Sequence, residues 1–400
     1  MHFASVSTEP SRGKASPLSK FGQVVLVLQG GGALGAYQAG VYQALHEAGI
    51  EPDWIIGTSI GAINASLIAG NTAEHRLQRL EEFWSHVEYS PAQKWTNALP
   101  IVGQAYANYL AMAGGIRGFF EPNPRAYFGD HVKLGADSAG YYSTAPLRRT
   151  LSKLVDFDQV RSGLVRRTVG AANVRTSAMR YFDSRDEDLS IDHIMASGAL
   201  PPAFPAVRIG GELYWDGGIL SNTPVEAVFD DNPRRNSLVF AVHVWNPNGQ
   251  EPDSIHKVAS RQKDLQYASR ASTHINRQRQ IHKLRHIIAE LAARIPDHER
   301  DSQFVKDIAG YGCLTRMHVV RLLAPQIHGE DHAKDIDFSP NGIQTRWSAG
   351  RADTQRVLGT APWNDAADPL EGFILHEANG GVMRTPTSNY QPSPIEGASS

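Results

Sequence analysis

The sequence predicts an α/β fold in which a central, largely parallel sheet is enclosed by helices. Three observations point to it. "VVLVL" (24–28) and "DWIIG" (53–57) are short apolar runs of the kind that parallel strands buried on both faces present. Each is followed by a segment with helical spacing, which gives β-α-β-α within the first quarter of the chain. A third buried-strand run, "SLVFAVHVW" (237–245), returns later.

The elements follow in order. Residues 24–28 form the first strand. In "ALGAYQAGVYQALHEAG" (33–49), Leu34, Tyr37, Val41, Ala44 and Leu45 share a stripe, and Gly49 stops the helix. "DWIIG" is the second strand, and "SIGAINASLIAG" the second helix, ending at Gly70. Residues 72–155 are mostly helical in pattern, broken at Pro91, Pro100 and "GGIRGFFEPNP". "RRTVGAANV" and "AMRYFDS" read as strands. "SIDHIMASGALPPAFPAV" is a short helix running into a proline-rich bend, and "VRIGGELYWDGG" a hairpin turning at Gly210-Gly211. Residues 257–295 form a long helix carrying nine Lys/Arg against two Asp/Glu up to Arg294. Its Ile281, Leu284, Ile288, Leu291 and Ile295 repeat at three and four. "MHVVRLLA" is a late strand and "NGIQTRWSAGRADTQRVL" a late helix.

This organises the chain as a flexible arm (1–20), a catalytic-type domain (21–250), a C-terminal extension (255–378) and a disordered tail (379–400). The 400 residues are ordinary globular composition, 41% hydrophobic and 20% charged. The formal net charge of −2 gives no reason to expect nucleic acid as a partner. A single cysteine, Cys313, excludes an internal disulfide. The polar, Ser/Pro-rich start lacks a signal-peptide core, so a cytoplasmic protein is expected.

The loop "LQGGGALGAYQAG" (28–40) contains Gly30-x-Gly32-x-x-Gly35, the spacing of a dinucleotide fingerprint. That site needs an acid at the end of the second strand. Glu51 and Asp53 precede that strand instead, and it runs into Gly57-Thr58-Ser59-Ile60-Gly61. A G-x-S-x-G between strand and helix is the setting of a nucleophile elbow, where flanking side chains would collide with the neighbouring strand and helix. Gly30, Gly31 and Gly32, on the adjacent strand end, would then offer N–H groups to an oxyanion.

A serine needs a base. Of sixteen histidines, His243 reads as a core residue and His193 as a packing or surface residue. Asp216 in "YWDGG" follows a strand, with Gly217-Gly218 clearing space beside it, and is the better candidate. His328, Glu330, Asp331, His332 and Asp335 fall within eight residues, and a solvated charged loop is preferred to a metal site. Phe119, Phe120, Tyr127 and Phe128 are candidates for an acyl channel.

"GGGALGAYQAG", "GTSIGA", "ASGALPPAFPAV" and "YWDGGILSNTP" resemble, in order and spacing, the patatin-like phospholipases over residues 22–245. The resemblance implies a patatin-like three-layer α/β/α hydrolase with an appended C-terminal α+β module. It further implies calcium-independent hydrolysis of lipid acyl esters without a cofactor or metal. By motif, Ser59 becomes nucleophile, Asp216 base, and Gly30, Gly31 and Gly32 the oxyanion loop. Leu34 stands where many relatives carry Arg or Lys, which weakens inference about anionic phospholipids. "DIDFSPNGIQTRWSAG" resembles an extension found on some bacterial members.

The expected partner is a lipid or other acyl ester, with the basic helix 257–295 a candidate for peripheral membrane contact. Thioesters, storage polyesters, and a non-catalytic lipid-binding or scaffold role stay open as alternatives. A histidine-triad hydrolase and a nucleotide-binding enzyme are the remaining rivals. Oligomeric state is not legible.

Overall fold

The computed structural model describes residues 18–88, 113–129, 131–327, 333–366, 368, 371–378 and 381–382. Most of the expected arm and tail lie outside the described residues. The chain opens with β1 (Gln23–Leu28), α1 (Ala36–Glu47), β2 (Trp54–Thr58), α2 (Ile60–Ala69) and α3 (Ala73–Val87). A small antiparallel ladder joins β3 (Glu121–Pro122) to β4 (Tyr142–Ser143). Helices α4 (Ala145–Leu154) and α5 (Phe157–Arg161) follow. Next come β5 (Arg166–Asn173), β6 (Met179–Asp183) and α6 (Ile191–Ser197). The hairpin β7 (Val207–Ile209) and β8 (Glu212–Asp216) precedes α7 (Glu226–Phe229) and β9 (Ser237–His243). Its turn is Gly210-Gly211, both at positive φ (57° and 86°), which is why glycine occupies both positions.

The last third contains α8 (Ile255–Ala293), α9 (Asp297–Arg300) and α10 (Gln303–Ala309). It continues through β10 (Met317–Leu323), α11 (Pro340–Thr360), β11 (Phe373–Glu377) and β12 (Gly381–Val382). Sequence reading misses β11, whose "FILHE" run is too short to announce itself beside the low-complexity tail. It also assigns 381–382 to the disordered tail, whereas these residues pair antiparallel with β11.

One sheet runs β12-β11-β10-β9-β1-β2-β5-β8-β7, with β6 also on β5. Strands β11, β10, β9, β1, β2 and β5 are mutually parallel, while β6, β7, β8 and β12 join antiparallel. Alternate residues enter separate cores. Leu26, Leu28 and Ile55 pack with α1, α2 and α3, whereas Val25, Val27 and Ile56 pack with Phe229 of α7 and Ile275 of α8. Helices cover both faces, so the central strands read as continuous apolar runs and the architecture is three-layered.

Residues 255–378, which the sequence sets apart as an appended module, contribute β10 and β11 to this same sheet. Pattern reveals a strand, but not which sheet receives it. Their helix α11 lies against α1. A Cβ added at Gly40 would fall 1.9 Å from the Trp347 carbonyl oxygen, and one at Gly350 would fall 2.0 Å from that of Tyr37. The two backbones touch where neither carries a side chain. Gly40→Ala is therefore expected to lower stability by about 1–3 kcal/mol through overpacking. The urea midpoint of unfolding would report it.

The long basic helix α8 packs through a mixed face. Its packed side carries Asp264, Ala268, Ile275, His282 and His286, while Leu284 and Leu291 of the predicted Ile/Leu stripe are exposed. Among the described residues no helix is long and apolar enough to cross a membrane.

Candidate active site

The parallel strands β1, β2 and β9 end on one side of the sheet, where open α/β sheets place their ligands. Strand β2 pairs with β5 up to Thr58 opposite Gly170. Strand β6 occupies the other edge of β5, so β8 continues along the edge that β2 vacates, with Asp216 opposite Ala171. The next residue after Thr58 is Ser59. The register thus brings the ends of β2 and β8 together, although the two are far apart in sequence.

Ser59 sits at φ 57°, ψ −126°, a conformation that L-residues rarely adopt. It is the N-cap of α2 and half-buried. The flanking glycines are steric necessities. A Cβ on Gly57 would lie 2.2 Å from the Gly61 carbonyl oxygen, and one on Gly61 would lie 2.2 Å from that of Leu28. The elbow is also held from outside. Ser59 donates its N–H to Ser197 Oγ (2.9 Å), and Ser197 Oγ donates to the Gly170 carbonyl (2.6 Å).

Asp216 is 2% exposed, its carboxylate accepts the Gly218 N–H at 2.7 Å, and it shares the cavity with Ser59. Burial pushes its carboxyl up to about 7, outweighing the Ser59 hydroxyl and the Gly218 N–H, which favour the anion. A Cβ on Gly217 would meet the Gly170 carbonyl oxygen at 2.6 Å, so only glycine fits beside Asp216.

The glycine run lines the same cavity. Gly30 abuts the serine, because a Cβ there would stand 3.0 Å from Ser59 Cβ and 2.4 Å from Asn222 Oδ1. The expectation that Gly30, Gly31 and Gly32 all present free amides is corrected at Gly30. Its N–H donates to the Asn222 carbonyl (3.1 Å), and its own carbonyl accepts from Asn222 Nδ2 (3.1 Å) and Trp245 Nε1 (2.8 Å). Among the described residues the N–H groups of Gly31 and Gly32 have no partner. Gly32 takes φ 56°, and its Cα faces the Asp335 carbonyl, 2.2 Å from where a Cβ would sit. Leu34, which follows the glycine run, is buried in the core.

Together these residues border a cavity of about 220 Å³. One end is polar, with Ser59, Asp216, Asn222 and the glycines; the other is apolar, with Ile63, Phe119, Phe120, Leu200, Phe204 and Phe338. Phe119 and Phe120 are in the wall as expected, whereas Phe128 is 79% exposed. The Tyr127 side chain lies outside the described residues. Sequence reasoning misses Asn222, Trp245, Tyr267, Asp335, Ile336 and Phe338, all of which line the cavity. Asn222 stands in the "SNTP" that trails the D-G-G turn, and Asp335, Ile336 and Phe338 in the "DIDFSP" run, but neither run signals that it reaches the cavity.

The rival groups lie elsewhere. Asp53 accepts the Val24 N–H (2.7 Å) at the strands' opposite end, and Glu51 pairs with His46 and Arg76. His243 is 4% exposed and held neutral, its pKa pushed down to about 3 by burial and the Arg321 charge. His193 is a capping residue whose Nδ1 accepts the Ser190 N–H (2.9 Å). Among the described residues, no histidine lines the cavity. His328, Glu330, Asp331 and His332 lie outside the described residues, while Asp335 is ion-paired to Lys263 at 2.7 Å.

Comparison with known proteins matches the family model "Patatin-like phospholipase" to residues 26–229 and a second, "Patatin phospholipase", to residues 265–370. Lysophospholipase NTE1 of Debaryomyces hansenii is 26% identical over 229 residues, 57% of this chain and 12% of that protein. A patatin-like phospholipase domain-containing protein of Aspergillus oryzae is 41% identical over 68 residues, 17% of this chain and 10% of its own. The chain thus spans only about an eighth of the length of the NTE1 lysophospholipase. VipD from Legionella pneumophila aligns with 84% of this chain and 67% of its own, at 17% identity and a TM-score of 0.36. With the first family model covering half of the sequence, from the glycine loop through the Asp216 turn, the chain belongs to the patatin-like phospholipase family.

Proposed function

We propose that this chain hydrolyses carboxylic ester bonds of lipids through a Ser59–Asp216 dyad. One observation carries the reading: Ser59, on a strained elbow, and the buried Asp216 carboxylate line one half-apolar cavity, close enough for the serine hydroxyl to favour the carboxylate's anion. Ser59 Oγ attacks the ester carbonyl carbon as Asp216 takes its proton. The N–H groups of Gly31 and Gly32 receive the oxyanion, while Gly30 fixes the loop through Asn222 and Trp245. The tetrahedral adduct collapses to an acyl-enzyme, and Asp216 returns its proton to the departing alkoxide. Water then adds to the acyl-enzyme with Asp216 again as base, releasing the acid and restoring Ser59. Residues 21–250 carry this machinery, and the region 255–378 walls the cavity through Tyr267, Asp335, Ile336 and Phe338.

The substrate follows from the cavity's two ends: an acyl chain against the phenylalanines and an ester carbonyl at Ser59. Peripheral membrane contact through 257–295 is supported by Leu284 and Leu291, each 60% exposed on the basic helix. A fluorophosphonate probe should label Ser59, and micellar lysophospholipid should be hydrolysed. Absence of both reactions in folded protein would overturn the reading.

Asp216 must be ionised to accept the proton, and its carboxyl is raised to about 7. The acid limb of kcat/KM is therefore expected near pH 7 rather than near pH 4, with about a tenfold loss per pH unit below it. A pH–rate profile on a soluble p-nitrophenyl ester checks this.

A further inference from the structure

We infer that Phe338 determines how long an acyl chain the site accepts, which rests on the reading of Ser59 as nucleophile. Phe338 belongs to the region after residue 255, yet it lines the cavity that holds Ser59 and is 2% exposed. On the cavity side its ring meets Phe119, with centroids 5.5 Å apart. Behind it the ring stacks on Trp84 of α3, at 6.1 Å and 22° between planes. Trp84 is buried but does not line the cavity, so Phe338 stands between the chamber and the next aromatic layer. Trp84 is itself fixed, donating Nε1–H to Asn64 Oδ1 (3.2 Å).

A specificity wall works only if it holds its place. The segment around Phe338 is pinned on both sides. Before it, Lys334 pairs with Asp264 at 2.6 Å, both 6% exposed or less, and Lys263 pairs with Asp335 at 2.7 Å. The Asp335 carbonyl occupies the space that a side chain at Gly32 would need, tying the segment to the glycine loop. After Phe338, Ser339 caps α11 by accepting the Gly342 N–H (3.1 Å), and Arg346 donates to the Asp337 carbonyl (3.0 Å). The wall is thus rigid, apolar and backed by a second ring. Removing the Phe338 ring lengthens the chamber toward Trp84, and enlarging it shortens the chamber. Each methylene that gains or loses apolar contact changes selectivity on the order of tenfold.

The test uses the full chain as wild type, Phe338→Ala, Phe338→Leu and Phe338→Trp, with p-nitrophenyl esters of four, eight, twelve and sixteen carbons. Expected is a rise of about tenfold or more in the ratio of kcat/KM for twelve carbons over eight in Phe338→Ala. A smaller rise is expected in Phe338→Leu, and a fall in Phe338→Trp. Thermal melts identify variants that fail to fold, and the leucine and tryptophan variants carry the test if alanine does. Chain-length profiles of unchanged shape in folded variants overturn the inference. Labelling of Ser59 by a short-chain fluorophosphonate is measured alongside. Normal labelling with unchanged profiles defeats the Phe338 assignment alone, whereas an unlabelled Ser59 with hydrolysis surviving Ser59→Ala defeats the nucleophile reading and this inference with it.

Discussion

Ser59→Ala is expected to lower ester hydrolysis by about 10⁴–10⁶-fold and to abolish fluorophosphonate labelling, while leaving the protein folded. The size of the loss follows from the cavity: among the described residues, no histidine or cysteine lines it to replace the hydroxyl. What survives is the contribution of the glycine amides and of acyl binding. A companion variant separates chemistry from strain. Ser59 occupies φ 57° with ψ −126°, where a residue with a Cβ is held at a cost of about 1–3 kcal/mol. Glycine adopts that geometry freely. Ser59→Gly should be as inactive as Ser59→Ala but unfold at higher denaturant, by about 1 kcal/mol, since glycine's larger unfolded-state entropy offsets part of the relief. Equal midpoints for the two variants would argue that the elbow stores no strain. Retained hydrolysis in either would remove Ser59 from the reaction.

The parts of this site that are legible in sequence are those whose constraints are local. Gly57, Ser59 and Gly61 declare a strained turn, because each glycine answers a collision with backbone that the strand–turn–helix pattern already implies. The same holds for Gly217 beside Asp216. The Gly30 amide fails for the opposite reason. Its partner is the Asn222 carbonyl, brought in from the turn after β8, and no spacing within the glycine loop signals that contact. Tyr267, Asp335 and Phe338 are hidden in the same way, since they reach the cavity only because β10 joins the sheet beside β9 and carries its flanking helices with it. The packed face of α8 is not legible from hydrophobic spacing, because histidines and an ion-paired aspartate are buried there while Leu284 and Leu291 are exposed. Fold class survives such errors because it rests on the apolar strands, whose burial on both faces leaves no alternative pattern.

Asp216→Asn should both disable the enzyme and stabilise it, and the stabilisation should depend on pH. Activity is expected to fall by about 10³–10⁴-fold, since the amide keeps the shape of the site but cannot take the serine proton. Stability moves the other way because the buried carboxyl is raised from 3.8 to about 7. A carboxyl with a raised folded-state pKa binds more protons in the folded than in the unfolded chain between those two values. Folding stability is therefore lost as pH climbs from about 4 to about 7, and the loss is complete above. Asparagine carries no such penalty. The difference in unfolding free energy between Asp216→Asn and wild type should be near zero at pH 4 and grow through pH 7. Above that it should level off, on the order of 4 kcal/mol at most. Denaturant titrations of both proteins at pH 5, 6, 7 and 8 measure this directly, and taking the difference cancels every other titrating group. A flat difference across that range would mean that Asp216 is not the buried, proton-accepting carboxylate on which the proposed chemistry depends. A stabilisation that grows with pH while hydrolysis collapses would identify Asp216 as a group kept for its chemistry at the expense of the fold.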